Sequence, residues 1–206
     1  MKICFKNAYG YADILTVKTE GADVVSVNFH NTICFHRYFD IPAALKAAME
    51  VSSMRKACVL LHAKLDIEGD KFLSTLLLRD GEIAGVSDCI TNDMYTSGNA
   101  LRMYKICNAW VGLCVDKDML SSGADNLFYG GAKIVFHNCL GAFDKNYYKA
   151  YRNHGALCEG IRVGLFSDGA VIFDGFLKSV GNVVDIDLTG ENLCVHKSFL
   201  RISKGE

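Results

Sequence analysis

Cys114, Asp116, Lys117 and Asp118 crowd into five residues at the end of Lys105–Asp118, KICNAWVGLCVDKD. A thiol, two carboxylates and an amine are reagents of nucleophilic and acid–base chemistry. Cys114 would attack a substrate only with a lowered pKa, which needs a nearby cation. Lys117 offers one, while Asp116 and Asp118 oppose it. Alternation along a strand would aim Asp116 and Asp118 to one face, where paired carboxylates bind cations or move protons. No neighbour completes a metal set, so a solvated strand end is the plain reading, and no metal or cofactor is expected. Read as plainly, Cys114 is a packed strand thiol, and Cys89, in a loop-like stretch, is a more exposed but inert one. His30, Cys34 and His36 are zinc-type ligands without a fourth. Arg152-Asn153-His154 lies in a helical stretch and suits packing. Ser167-Asp168-Gly169 reads as a turn. The glycine patterns of dinucleotide, P-loop and serine-hydrolase sites are absent from the sequence.

The elements that must position these groups follow from apolar periodicity. Strands are expected at Lys2–Asn7, over VVSVNF from Val24, at Ala57–Ala63, Lys71–Arg79 and Glu82–Val86, and as a hairpin from Leu101–Tyr104 and Asn108–Asp116. Asp80-Gly81 is the short hairpin turn between two of them. Further strands fit Ile161–Phe166, AVIFD from Ala170, and Asn182–Asp187 as the last. Helices fit Tyr9–Thr19, Ala43–Ser53 with Asp40 as N-cap and Pro42 in its first turn, and Asn146–Glu159 stopped by Gly160. Thr91–Asn99 reads as loop. GADVVSV (21–27) and GADNLFY (123–129) each place Gly-Ala-Asp before an apolar run read as a strand, which hints at a duplication. Hairpins mixed with strand–helix crossovers make an α/β arrangement.

The chain has 206 residues, half of them hydrophobic, so a single domain over 1–206 has core enough. A net charge of −1 gives no basic surplus for nucleic acid or an anionic membrane. Nine cysteines, an odd number with no CxxC, and an opening MKICFKNAYG without an apolar leader point to a reduced, cytoplasmic protein. No run is long enough to span a bilayer.

The stretches GADVVSV, LLLRDGEIAGVSD, YTSGNALRMY, AWVGLCVDKDML, GADNLFY and AYRNHGALCEGIRVGLFSDG, in that order over Gly21–Asp174, resemble the nitrilase or carbon–nitrogen hydrolase superfamily. The resemblance implies a four-layer α-β-β-α sandwich, commonly a homodimer. It also implies a cysteine nucleophile, a glutamate base and a lysine that supports the oxyanion. By position, Phe29 stands where the glutamate belongs, Cys89 at or beside the lysine, and Asp116, four residues past Gly112, at the cysteine. Cys114, two residues earlier on the same strand face by period-2 geometry, is the alternative nucleophile. Asn28, Asp88 and Asp118 would line the pocket around these positions. The family's helix before its second Gly-Ala-Asp looks reduced here to Met119–Ser122. The expectation is a binding or assembly module of nitrilase type with its triad replaced, perhaps holding a small-molecule ligand. The competing reading is an active amide or nitrile hydrolase using Cys114 or Cys89.

Overall fold

The computed structural model describes residues 1–19, 21–35, 41–187 and 194–198. The first half runs β1 (Lys2–Ala8), α1 (Tyr11–Leu15), β2 (Val24–Phe35), α2 (Ala43–Arg55), β3 (Cys58–Ile67), β4 (Asp70–Arg79) and β5 (Glu82–Asp88). The second runs β6 (Arg102–Ile106), β7 (Ala109–Val115), a 3-10 turn (Asp116–Leu120), α3 (Gly123–Tyr129), β8 (Ile134–Asn138), α4 (Lys145–Leu157), β9 (Ile161–Phe166) and β10 (Gly169–Phe173). It closes with β11 (Leu177–Val180), β12 (Val183–Asp187) and β13 (Cys194–Ser198).

Two mixed sheets result. One has the order β13-β12-β1-β2-β3-β4-β5, the other β11-β10-β9-β8-β7-β6. Strand alternation decides what each face meets. Ile3, Phe5, Val24, Leu60 and Leu77 of the first sheet pack with Val111, Leu113, Ile134, Phe136 and Val163 of the second. The opposite faces pack outwards, Val25, Val27 and Leu61 with Ile14, Leu45 and Val51 of α1 and α2, and Val135 with Leu127, Tyr147 and Tyr151 of α3 and α4. These are the four layers of the expected sandwich. Gly112 permits the close seat of α3 on β7, since a Cβ there would meet Leu127 at 3.0 Å. Asp80 and Gly81, both with positive φ, form the expected β4–β5 turn.

The halves repeat one unit, but not in the register the two Gly-Ala-Asp segments suggest. GADNLFY is helix α3, not a strand, so the helix expected to be lost is formed by these residues. The true lead-in to β8 is Gly131-Ala132-Lys133. Asp23 N–H donates to Lys2 O at 2.9 Å, and Lys133 N–H to Trp110 O at 2.8 Å. Cys58 N–H donates to Asp23 O at 2.9 Å, and Ile161 N–H to Lys133 O at 3.1 Å. GADVVSVNF (21–29) therefore corresponds to GAKIVFHNC (131–139). An apolar run with a Gly-Ala-Asp start fits either period. The helix wins because Ala124 and Leu127 cover the outer face of β7 and β8.

Smaller differences follow from local chemistry. Helix α1 is short, ending at Leu15. Pro42 is the N-cap of α2 rather than a first-turn residue, and Asp40 lies outside the described residues, as does His36. Helix α4 starts after Asp144, whose carboxylate accepts from Asn146 N–H and Tyr147 N–H, and it stops at Leu157. The strands β11 and β13 have no counterpart in the sequence reading, and β12 is not the last strand. Trp110 is half exposed, so β7 is not buried throughout. Among the described residues no helix is long and apolar enough to cross a membrane.

Candidate functional site

At the end of β7 the chain turns sharply. Asp116 has φ 47°, a left-handed value that aspartate tolerates better than most residues. The 3-10 turn follows at once, so Asp116 and Asp118 do not alternate along a strand. Their carboxylates go to separate sets of partners. Asp116 Oδ2 accepts from Asn92 Nδ2 at 3.0 Å. Its Oδ1 accepts from Cys139 Sγ at 3.0 Å and from Tyr147 OH at 3.4 Å. Asp118 is buried and clasps the loop after β5. Its Oδ1 accepts from Ile90 N–H, Thr91 N–H and Thr91 Oγ1, each at 2.9 Å, and from Cys89 Sγ at 3.5 Å. Burial raises the Asp118 carboxyl above its ordinary range, against the pull of these donors.

Two buried histidines flank this turn. His137 Nε2 lies 2.8 Å from Asp116 O, which can only accept, so Nε2 carries the proton and Nδ1 accepts from Tyr151 OH at 3.1 Å. In the same way, His62 Nδ1 donates to Ser74 O at 3.0 Å, which leaves Nε2 buried and without a partner. Burial pushes both imidazoles down to about 4. They are neutral at physiological pH and supply no positive charge.

The thiols are protonated for a related reason. Cys89 is buried, not exposed as its loop-like sequence suggested, and burial followed by Asp118 pushes its pKa up to about 12. Cys114 does not share a face with Asp116. It lies in the apolar cluster on the α3 and α4 side, and burial raises it well above the ordinary thiol range. Cys139 is the residue that sequence reasoning missed. It sits against Asp116 and also accepts from Gly141 N–H at 3.3 Å, while burial and then Asp116 push it up to about 12. Matching GADVVSVNF to GAKIVFHNC would have found it, since that register places Cys139 where Phe29 stands in the first half.

Of the other sequence-selected residues, Phe29 belongs to the apolar cluster shared with α1 and α2, and β2 has an irregular register between Phe29 and Thr32. Asn28 is a pin between the sheets. Its Nδ2 donates to Cys139 O at 2.7 Å and Leu165 O at 3.0 Å, and its Oδ1 accepts from Asn138 Nδ2 at 3.1 Å. Asp88 accepts from Ser74 Oγ at 2.5 Å. Asp118 therefore links Cys89 to the Asp116 turn, whereas the Phe29 ring packs among helix-side residues. His30 bonds Asn7 Oδ1 and stacks on Tyr9, and Cys34 is exposed. Asp168 accepts from Phe143 N–H in its turn. His154 packs as expected, bonded to Asp125 at 2.6 Å and Met119 O at 2.9 Å. Among the described residues no three metal-type ligands gather.

No family model matches the chain. No curated protein matches it in sequence. Solved structures do. Nit3 of Saccharomyces cerevisiae, a member of branch 10 of the nitrilase superfamily, superposes with TM-score 0.71 at 8% identity, covering 89% of this chain and 88% of that one. The NitN amidase from Nesterenkonia sp. AN1 gives TM-score 0.67 at 12% identity, over 91% and 93%. A glutamine-dependent NAD+ synthetase from Acinetobacter baumannii gives 0.68 at 12%, over 96% of this chain but 47% of that one. The chain has the nitrilase fold.

Proposed function

We propose that this chain is a nitrilase-fold module that binds or assembles rather than hydrolysing carbon–nitrogen bonds. The observation that carries this reading is the company of its thiols. Cys89 and Cys139 each face an aspartate, and every donor hydrogen-bonded to Asp116 and Asp118 is neutral. Thiolate attack needs an anionic sulfur and donors aimed at a developing oxyanion. Carboxylates in both places oppose each requirement. The structurally similar Nesterenkonia amidase, by contrast, has been captured with an acetamide moiety on its active-site cysteine.

Assembly as a homodimer fits the second half, which exposes Tyr129, Tyr148, Leu157 and Phe176. Light scattering at tens of micromolar, an ordinary interface range, would return a strict monomer if this is wrong. The chemistry is tested by following ammonia release from simple aliphatic and aromatic amides and nitriles. No steady release is expected. Turnover that survives Asp116→Ala and vanishes in Cys114→Ser or Cys89→Ser would make the chain a carbon–nitrogen hydrolase with a relocated nucleophile.

A further inference from the structure

Beyond the Asp116 turn, a cavity of about 340 Å³ opens between the loop after β5 and the start of α3. Its wall includes Ile90, Thr91, Leu101, Asp118, Ser121 and Asn126. That volume suits a small molecule. The hydrogen bonds already made decide which kind. Thr91 Oγ1 gives its proton to Asp118 Oδ1 at 2.9 Å. Ser121 Oγ gives its proton to the Asp118 carbonyl at 2.8 Å. Each hydroxyl therefore has only lone pairs left. Asp118 Oδ1 has four donors, but Oδ2 has just one, the Ile90 N–H at 3.1 Å that it shares with Oδ1. The Asn126 side chain adds a carbonyl oxygen. The unfilled polar capacity of the wall is thus almost wholly acceptor, on a carboxylate whose printed partners are all neutral, beside the aliphatic Ile90 and Leu101.

We propose that this cavity binds a small primary ammonium with a short aliphatic tail, its N–H donors on Asp118 Oδ2, Thr91 and Ser121 and its tail on Ile90 and Leu101. The match has two parts. A donor-only head satisfies acceptors that a carboxylate ligand would repel. A bound cation also compensates a carboxylate that burial otherwise disfavours. Gly123 helps keep the space open, since a Cβ there would stand 3.3 Å from Ser121 Oγ and 3.6 Å from Leu101 Cδ1. The proposal names the ligand class for the binding-module reading, and the two fail separately: ammonia release from amides would end that reading without bearing on whether an amine binds here.

The test is calorimetric titration of the whole chain with n-butylammonium chloride, next to tetramethylammonium chloride and sodium butyrate. Saturable binding of butylammonium alone is expected, at millimolar affinity or tighter for so small a ligand, an order of magnitude set by ligand size. Leu101→Trp fills the cavity from its apolar wall without touching Asp118 and should abolish binding. Asn126→Leu, on the exposed side of α3, removes one acceptor and should weaken binding about threefold, so a folded variant is available if the first is unstable. Binding that is unchanged in these variants, equal binding of tetramethylammonium or butyrate, or no saturation by butylammonium at roughly 50 mM would each overturn the proposal.

Discussion

The two halves of this chain hold the same asparagine and disagree at almost every polar position around it. Asn28 on β2 corresponds to Asn138 on β8, and the two bond each other across the sheets. One step along, Phe29 corresponds to Cys139. One step back, Val27 corresponds to His137. In the same register His62 of the first half answers to Leu165 of the second. Each half thus buries one neutral histidine where its counterpart places an aliphatic residue. The comparison separates what the duplicated scaffold needs from what a site added. The asparagine pair serves backbone carbonyls of both sheets, so the fold needs it. The histidines, Cys139 and Asp116 belong to one half each, so the twofold plan does not explain them.

Acid should break the comparison most strongly. Both histidines are pushed down to about 4 by burial, while the unfolded chain titrates near 6.5. Between these values the unfolded state binds more protons, so stability is full above about pH 6.5 and is lost as pH falls towards 4. At pH 5 each histidine should remove on the order of 2 kcal/mol. Urea denaturation at pH 7 and pH 5 measures this. His62→Leu copies the residue of the other half and should remove about half of the acid slope. His137→Val should remove a similar share, while costing about 1–3 kcal/mol at pH 7 because the Asp116 carbonyl loses its donor. An acid slope unchanged in both variants would show that neither histidine is buried neutral.

Asn28→Leu comes next. It leaves Cys139 O without its side-chain donor and takes an acceptor from Asn138, so a loss of about 2–3 kcal/mol in the urea midpoint is expected. With Asn138→Leu added, the double variant should lose less than the sum, because each partner's stranded group is then removed with it. Strict additivity would mean that the pair is not a unit.

The scaffold was legible because period-2 apolar runs and Asp80-Gly81 encode strands and a turn that local chemistry enforces. GADNLFY was not. Its apolar residues fit a strand as well as a helix, and only packing of Ala124 and Leu127 on the sheet decides. The site was half legible. Counting from Gly112 reached Asp116, where the backbone does turn with positive φ. Cys139 escaped because it becomes a neighbour of Asp116 only when β7 and β8 pair, Val115 against Asn138. His62 escaped because an unpartnered nitrogen is a property of the packed state, not of a sequence.

Asp116→Gly should change stability by less than about 1 kcal/mol. Glycine adopts positive φ without strain, which offsets part of the loss of the bonds to Asn92, Cys139 and Tyr147. A loss well beyond that would make the carboxylate, rather than the turn, the feature that this half preserves.

The smallest expected effect is on turnover. Asp116→Cys restores a thiol at the turn, yet ammonia release from amides should stay at background. The new thiol would sit beside Cys139, with Asn92 and Tyr147 as neutral neighbours. Nothing there takes its proton, because His137 already donates Nε2–H to the carbonyl of residue 116 and its imidazole is held down to about 4. Adding Cys89→Lys would bring a cation, but into a buried place whose anionic partner, Asp118, would pair with it first. Adding Phe29→Glu would put a carboxylate among Val27, Ala48 and Leu61 on the helix side of the first sheet, where it destabilises rather than serves as a base. Groups that act together lose nearly everything when one is misplaced. The triple variant is therefore expected to release no more ammonia than Asp116→Cys alone. Steady turnover from it would show that Phe29 stands within reach of the turn after all, and that the two halves still share one site.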